Sequence, residues 1–127
     1  MDVKTSFLNG TIDEEVYIEQ PKGFEINRKV THVCILKKAL YGLKQAPSAW
    51  YASMDPYLLK IGFVKSFADP NLYIKVVDNE PMIILLYVDD LFITGVECRI
   101  QECKKMLVVE FKMKDLGLMH YYLGLEV

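Results

Sequence analysis

Apolar residues recur along this chain with two different periods, and each change of period marks an element. Met82 to Val88 is a nearly continuous apolar run, and Leu91 to Thr94 is a shorter one that Gly95 closes. Both are rich in Ile, Leu, Val, Tyr and Phe, which favour pleated, half-buried backbone, so they predict strand, tight turn, strand with Asp89 and Asp90 at the tip. Leu72 to Val77 precedes them across Asp78-Asn79-Glu80-Pro81, a turn composition that predicts antiparallel pairing. Upstream, Asp2 to Leu8 reads as a short strand running into a turn at Asn9-Gly10. Val16 to Glu19 alternates as a strand until Pro21 and Gly23, and Val33 to Leu36 is a further strand after a polar loop.

The helical period appears twice. Pro47 suits a first helical turn, and Trp50, Met54, Tyr57, Leu58 and Ile61 then recur at helical spacing until Gly62, predicting a helix over 48–61 with one buried face. Pro56 lies inside it; an interior proline costs about 3 kcal/mol, so the helix either kinks there or is damaged. Glu97 to Glu110 is a second helix, with Ile100, Cys103, Leu107 and Phe111 on one side and Lys104 and Lys105 turned to solvent. A polar break from Lys112 to Gly117 leads to Met119 to Val127, an apolar tail that reads as one strand. The sum is an α+β fold, an antiparallel sheet with helices packed on one face.

A length of 127 residues suits one domain or part of one. The net charge of −2 supplies no strongly basic surface, so affinity for nucleic acid has to come from elsewhere. Cys34, Cys98 and Cys103 form no C-x-x-C pair and read as small core residues of a reducing compartment. His32 and His120 lack ligand spacing and read as ordinary, partly buried histidines. Met1 is followed by no long apolar segment, and Met82 to Val88 is far too short to span a bilayer, so no membrane partner is expected. These features predict a soluble, intracellular protein.

Asp is a good turn residue, and in an arbitrary hairpin that alone accounts for an Asp-Asp pair. Yet two carboxylates about 4 Å apart repel by roughly 4 kcal/mol at an effective dielectric near 20, so such a pair either raises a pKa or binds a cation such as magnesium. A third ligand from another strand would complete a two-ion site, and Asp2 is the candidate. Around these residues the chain resembles a known family. The segments Asp2-Val3-Lys4-Thr5-Ser6-Phe7-Leu8-Asn9-Gly10, Glu15-Val16-Tyr17-Ile18-Glu19-Gln20-Pro21, Leu40-Tyr41-Gly42-Leu43-Lys44-Gln45-Ala46-Pro47, Tyr87-Val88-Asp89-Asp90 and Met113-Lys114-Asp115-Leu116-Gly117 are similar to the reverse transcriptase of copia-type LTR retrotransposons. The five motifs are in the family's order and spacing and cover essentially the whole chain.

The resemblance implies a polymerase palm of ferredoxin-like type and an RNA-directed DNA polymerase activity. Asp2, Asp89 and Asp90 become the catalytic and metal-binding residues for two Mg2+ ions, with Mn2+ as an alternative, Asp2 and Asp89 carrying most of the coordination. It also implies that the backbone from Val3 through Lys4 and Thr5 to Ser6 lies near the triphosphate, and that Phe7 lies under the sugar, excluding a 2′-hydroxyl. Gln45 and Lys44 would hold the incoming nucleotide and its template base. Tyr87 and Val88 would face the primer terminus, and the tail that includes Leu123 and Gly124 would guide the primer strand. Its partners would be an RNA or DNA template with primer, deoxynucleoside triphosphates and the remaining parts of the Pol polyprotein, in the cytoplasm, with a virus-like particle and the nucleus as further stations.

Two positions depart from the family: Ser48 stands where it usually has arginine, and Pro56 interrupts a helix it generally leaves unbroken. The resemblance covers residues 1–127 as a palm fragment, without the preceding fingers segment, the thumb or RNase H. The alternative is a translated retrotransposon remnant with no activity of its own. A small sheet-based RNA-binding module would need a basic patch that the composition does not supply.

Overall fold

Alternation of buried and open positions builds the main sheet. The computed structural model describes all residues except Lys4, 27–31, Leu123, Gly124 and Val127, with Tyr122 described by its backbone alone. In chain order its elements are β1 (Asp2–Val3), a 3-10 turn (Ser6–Asn9), β2 (Tyr17–Glu19), β3 (Val33–Ile35), α1 (Ala46–Lys60), β4 (Val64–Lys65), β5 (Leu72–Val77), β6 (Glu80–Tyr87), β7 (Asp90–Thr94), α2 (Glu97–Phe111), β8 (Met113–Lys114), β9 (Tyr121–Tyr122) and β10 (Leu125–Glu126). The chain divides into two compact units, Met1–Ser6 with Asp55–Val127, and Phe7–Met54.

In the first unit, six strands among the described residues form one sheet in the order β4-β5-β6-β7-β1-β8, every neighbouring pair antiparallel. Register places Tyr73 opposite Ile84, Leu86 opposite Leu91, and Val3 opposite Met113, so these buried side chains share one face. The part of α1 from Asp55 onward, which belongs to this unit, and α2 cover that face. The Tyr73 hydroxyl donates to the Asp55 carboxylate of α1 at 2.6 Å, and Tyr57 of α1 meets Phe111 of α2 edge-on with ring centroids 5.1 Å apart. Helix α2 adds Cys103 and Leu107 to the core. The opposite face, with Leu72, Ile74, Ile83, Leu85 and Phe92, stays half-buried.

Asp55 also receives Lys65, and the two donors, the lysine first and Tyr73 second, hold its carboxyl below the usual aspartate range. A depressed folded-state pKa gives stability that is present above the unfolded value of 3.8 and lost as pH falls through the folded one. Tyr73→Phe is therefore expected to cost about 1 kcal/mol at neutral pH by urea denaturation, with the gap to wild type narrowing in acid.

In the second unit, β2 and β3 make a separate antiparallel ribbon with Ile18 opposite Cys34. A bridge joins Thr11 to Lys38, and the Ala39 amide donates to the Gly10 carbonyl at 3.1 Å. Gly10 is required where it stands, because a Cβ there would come within 2.6 Å of the Ala49 backbone.

Several expectations are corrected. The strand from Asp2 ends at Val3, since Thr5 adopts φ 54° and the chain turns into the 3-10 segment. Helix α1 starts two residues earlier than the spacing predicts and runs through Pro56 without ending. Pro56 has no amide to give the carbonyl of Ala52, which belongs to an exposed residue of the helix. Its positions Ala46, Trp50, Met54 and Leu58, four apart, are fully buried. The polar break contains β8, whose Met113 is buried, and the tail forms two short paired strands instead of one. Of the cysteines only Cys103 is buried, its thiol pushed up to about 11 by burial; Cys34 is half-buried and Cys98 exposed. His32 and His120 are exposed, and Lys104 is mostly covered, its ammonium 2.9 Å from the Asp115 carboxylate. No helix among the described residues is long and apolar enough to cross a membrane.

Candidate active site

The carboxylates are placed by a hairpin tighter than the sequence suggests. Strand β6 ends at Tyr87 and β7 begins at Asp90, with these two residues paired, so the turn consists only of Val88 and Asp89. Val88 has φ 52°, a left-handed conformation that two-residue hairpins normally give to Gly, Asn or Asp. For a β-branched residue it is an outlier costing on the order of 1–2 kcal/mol, which the surrounding ladder must hold. Val88→Gly is expected to raise stability by about 1 kcal/mol, seen as a higher urea midpoint with unchanged slope; a lower midpoint would mean the turn carries no strain.

The ladder beside the turn also sets the spacing of the acids. The Val3 amide donates to the Asp89 carbonyl at 3.0 Å, and the Leu91 amide donates to the Met1 carbonyl at 2.8 Å. These two bonds flank Asp2 and Asp90, which face each other as a pair not itself hydrogen-bonded, the arrangement in which cross-strand side chains come closest. Asp2 is also opposite Lys114 on its other side. Because Val3 and Met113 are on the covered face, Tyr87, Asp90, Asp2 and Lys114 form a row across β6, β7, β1 and β8 on the open face.

Charge accumulates there. The Asp90 carboxyl is raised above the usual aspartate range, first by partial burial, then by Asp89 and then by Asp2. Carboxylate oxygens are hard donors that suit Mg2+ or Mn2+, and a divalent cation would relieve this repulsion. Among the described residues, however, no three Asp, Glu, His or Cys side chains already converge as an ion-binding cluster. In the register Asp2 is opposite Asp90, and Asp89 belongs to the adjoining turn.

The other expected residues fare unevenly. The Val3 amide is committed to the Asp89 carbonyl and is not available to a triphosphate, because the strand pairing already uses it. Lys4, Leu123 and Gly124 lie outside the described residues. Thr5 is exposed, whereas Ser6 is fully buried. Phe7 is only 7% exposed, packed in its own unit against the exposed Tyr41 with centroids 4.5 Å apart, so it presents little ring surface to a sugar. Tyr87 and Val88 are exposed. Lys44 and Gln45 line a cleft of about 420 Å3 together with Asp13, Glu14 and Ser48, and the Gln45 side-chain amide donates to the Glu14 carboxylate at 2.9 Å. A second cleft, about 340 Å3, is lined by Asp90, Phe92, Leu118, His120 and Tyr121 among others, which brings the start of the tail beside the carboxylates.

Sequence reasoning gave no role to Lys114 or Glu14. The alternation of buried Met113 with Lys114 is the signal that could have put Lys114 on the open face; nothing local pairs Glu14 with a residue 31 positions away.

Comparison with known proteins gives the family of the chain. Residues 1–127 match a family model described as reverse transcriptase (RNA-dependent DNA polymerase). The chain is 45% identical over 129 residues to the retrovirus-related Pol polyprotein from transposon TNT 1-94 of Nicotiana tabacum, an alignment covering all of this chain and 10% of that protein. It is 43% identical over 127 residues to the retrovirus-related Pol polyprotein from transposon RE1 of Arabidopsis thaliana, covering 99% of the chain and 9% of that protein. It is 40% identical over 128 residues to the putative transposon Ty5-1 protein of Saccharomyces cerevisiae, covering 100% of the chain and 42% of that protein. The chain thus spans about a tenth of the length of the two plant polyproteins it matches. No solved structure matches it. A family model that covers every residue, together with relatives that are Pol polyproteins of copia-type transposons, shows that the chain belongs to the reverse transcriptase (RNA-dependent DNA polymerase) family.

Proposed function

We propose that this chain is the palm core of an RNA-directed DNA polymerase that extends a primer 3′-hydroxyl on an RNA or DNA template. The observation that carries the proposal is the facing pair Asp2 and Asp90 on the open sheet face, next to the strained Val88-Asp89 turn, with the Asp90 carboxyl raised by partial burial and then by its acidic neighbours. A strained backbone beside clustered carboxylates is costly to keep for stability alone and points to chemistry.

In this reading Asp2, Asp89 and Asp90 hold two divalent ions, Mg2+ or Mn2+. Such ions, when bound, lower the barrier to attack of the 3′-hydroxyl on a nucleotide α-phosphate and stabilise the departing pyrophosphate. The sheet holds the acids at fixed spacing through the Val3–Asp89 and Leu91–Met1 hydrogen bonds. Tyr87 and Val88, exposed beside them, would meet the primer terminus, and Lys44 and Gln45 the incoming deoxynucleotide with its template base. Covering of one sheet face by α2 and the part of α1 from Asp55 onward leaves the other for the primer and template. The remaining Pol segments, contiguous with this stretch in the relatives, would supply the clamp that a net charge of −2 cannot.

The test is primer extension by the purified chain in Mg2+, beside an Asp89→Ala control and a chelated sample. Extension that depends on both the ion and Asp89 is expected. Equal incorporation by the chain and the control, or none by either, would overturn the proposal for this chain and leave the remnant reading.

A further inference from the structure

The 420 Å3 cleft in the Phe7–Met54 unit shows how one of its polar groups is oriented. The Ala49 amide donates to the Gln45 carbonyl at 2.9 Å, which fixes the Gln45 backbone at the entry to α1. The segment carrying Glu14 is tethered just upstream by the Thr11–Lys38 bridge and by the Ile12 amide donating to the Lys37 carbonyl at 3.4 Å. Between these two anchored stretches the Gln45 side-chain nitrogen donates to Glu14, 31 residues away in sequence. The amide nitrogen carries two N–H donors, so giving one of them to Glu14 holds the amide in one orientation and leaves its carbonyl oxygen and second N–H for a ligand. Asp13 and Glu14 against the single ammonium of Lys44 make the lining net negative, which disfavours phosphate oxygens. The volume is on the scale of a nucleoside.

We propose that Glu14 is a positioning residue that fixes the orientation of the Gln45 amide, so that this cleft takes the sugar hydroxyl or base polar groups of a nucleotide and not its phosphates. The proposal rests on the reading of Gln45 as nucleotide-binding and adds both the orienting residue and the part of the nucleotide recognised. It makes Glu14 matter through Gln45 alone.

Titration of the 127-residue chain with dATP, 2′-deoxyadenosine and inorganic tripolyphosphate, followed by the NMR signals of the Gln45 side-chain amide, tests it. Both adenine compounds are expected to move those signals and tripolyphosphate to leave them. Glu14→Ala should weaken dATP binding about fivefold, the effect of losing one orienting hydrogen bond, while Glu14→Gln, which keeps an acceptor, recovers much of it. Glu14 is exposed, so both variants should retain the dispersed spectrum of the folded chain, and Gln45→Ala gives the effect of removing the oriented group itself. Unchanged dATP affinity in Glu14→Ala, or tripolyphosphate moving the Gln45 signals as dATP does, would overturn the positioning role alone. Failure of every adenine compound to perturb the wild-type chain would overturn the nucleotide-binding reading of Gln45 and this proposal with it.

Discussion

Asp90→Asn will have two effects of opposite sign. Primer extension should fall by about a thousandfold or more, because stabilisation of transition-state charge by a metal at such a site is worth several kcal/mol. Folding stability should instead rise, by about 0.2–1 kcal/mol, since like charges directly opposite on neighbouring strands destabilise a sheet. The stability gain depends on pH. The Asp90 carboxyl is raised in the folded state, so the folded chain binds the proton more tightly than the unfolded one, and wild-type stability declines as pH rises from the ordinary aspartate range through the raised value. Asparagine does not titrate, so its advantage should vanish in acid and be full at neutral pH. Urea midpoints at two pH values, measured beside the extension assay, check both halves. An Asn variant that is less stable at neutral pH would show that Asp90 is a structural residue and that its repulsive neighbours are compensated.

Leu91→Ala should produce a large loss of stability without touching a carboxylate. Leu91 is fully buried, faces Leu86 across the hairpin, and follows Asp90 directly in β7. Truncating such a leucine typically costs 2–5 kcal/mol, through lost transfer energy and the cavity left behind. Against a total stability of about 5–15 kcal/mol that is enough to leave much of the chain unfolded at moderate temperature. The damage should also be local, because the Leu91 amide makes the bond to Met1 that keeps Asp2 opposite Asp90. Hydrogen exchange should show the β1–β7 amides opening more readily than those of β5 and β6. A loss under about 1 kcal/mol, with no such gradient, would mean that the pocket behind the hairpin recloses around alanine.

What the sequence makes legible is whatever its periodicity forces. The Leu72–Val77 and Met82–Val88 runs carry the β5–β6 hairpin because alternation and the intervening turn chemistry leave few other solutions, and Trp50, Met54 and Leu58 announce the buried stripe of α1 by their spacing. The carboxylates are legible as residues, since an Asp-Asp between two strands stands out against an apolar background. Their geometry is not. Whether Asp89 or Asp90 faces Asp2 is decided by a register one residue wide, and a shift of one position exchanges the two faces of a strand. Strands of two residues, such as β4 and β8, have too little length for any period to show, and they exist because neighbours complete their hydrogen bonds. Glu14 and Gln45 meet through chain reversals that local composition does not encode. Phe7 shows the same limit from the other side: its place in a motif suggested exposure to a sugar, and packing against Tyr41 covers most of it.

Val88 also has a bearing on genomic copies of this stretch. Valine and glycine codons differ by a single base, so a copy freed from selection has a short mutational path from the left-handed valine to a residue that adopts the same backbone without strain. Such a path improves folding and would be closed only where the valine side chain itself is needed for work. Valine kept at this position in copies that are otherwise accumulating changes would mark those still being transcribed, translated and used; glycine or asparagine there would mark those that are not. One torsion angle in a two-residue turn thus becomes a means of sorting living elements from relics.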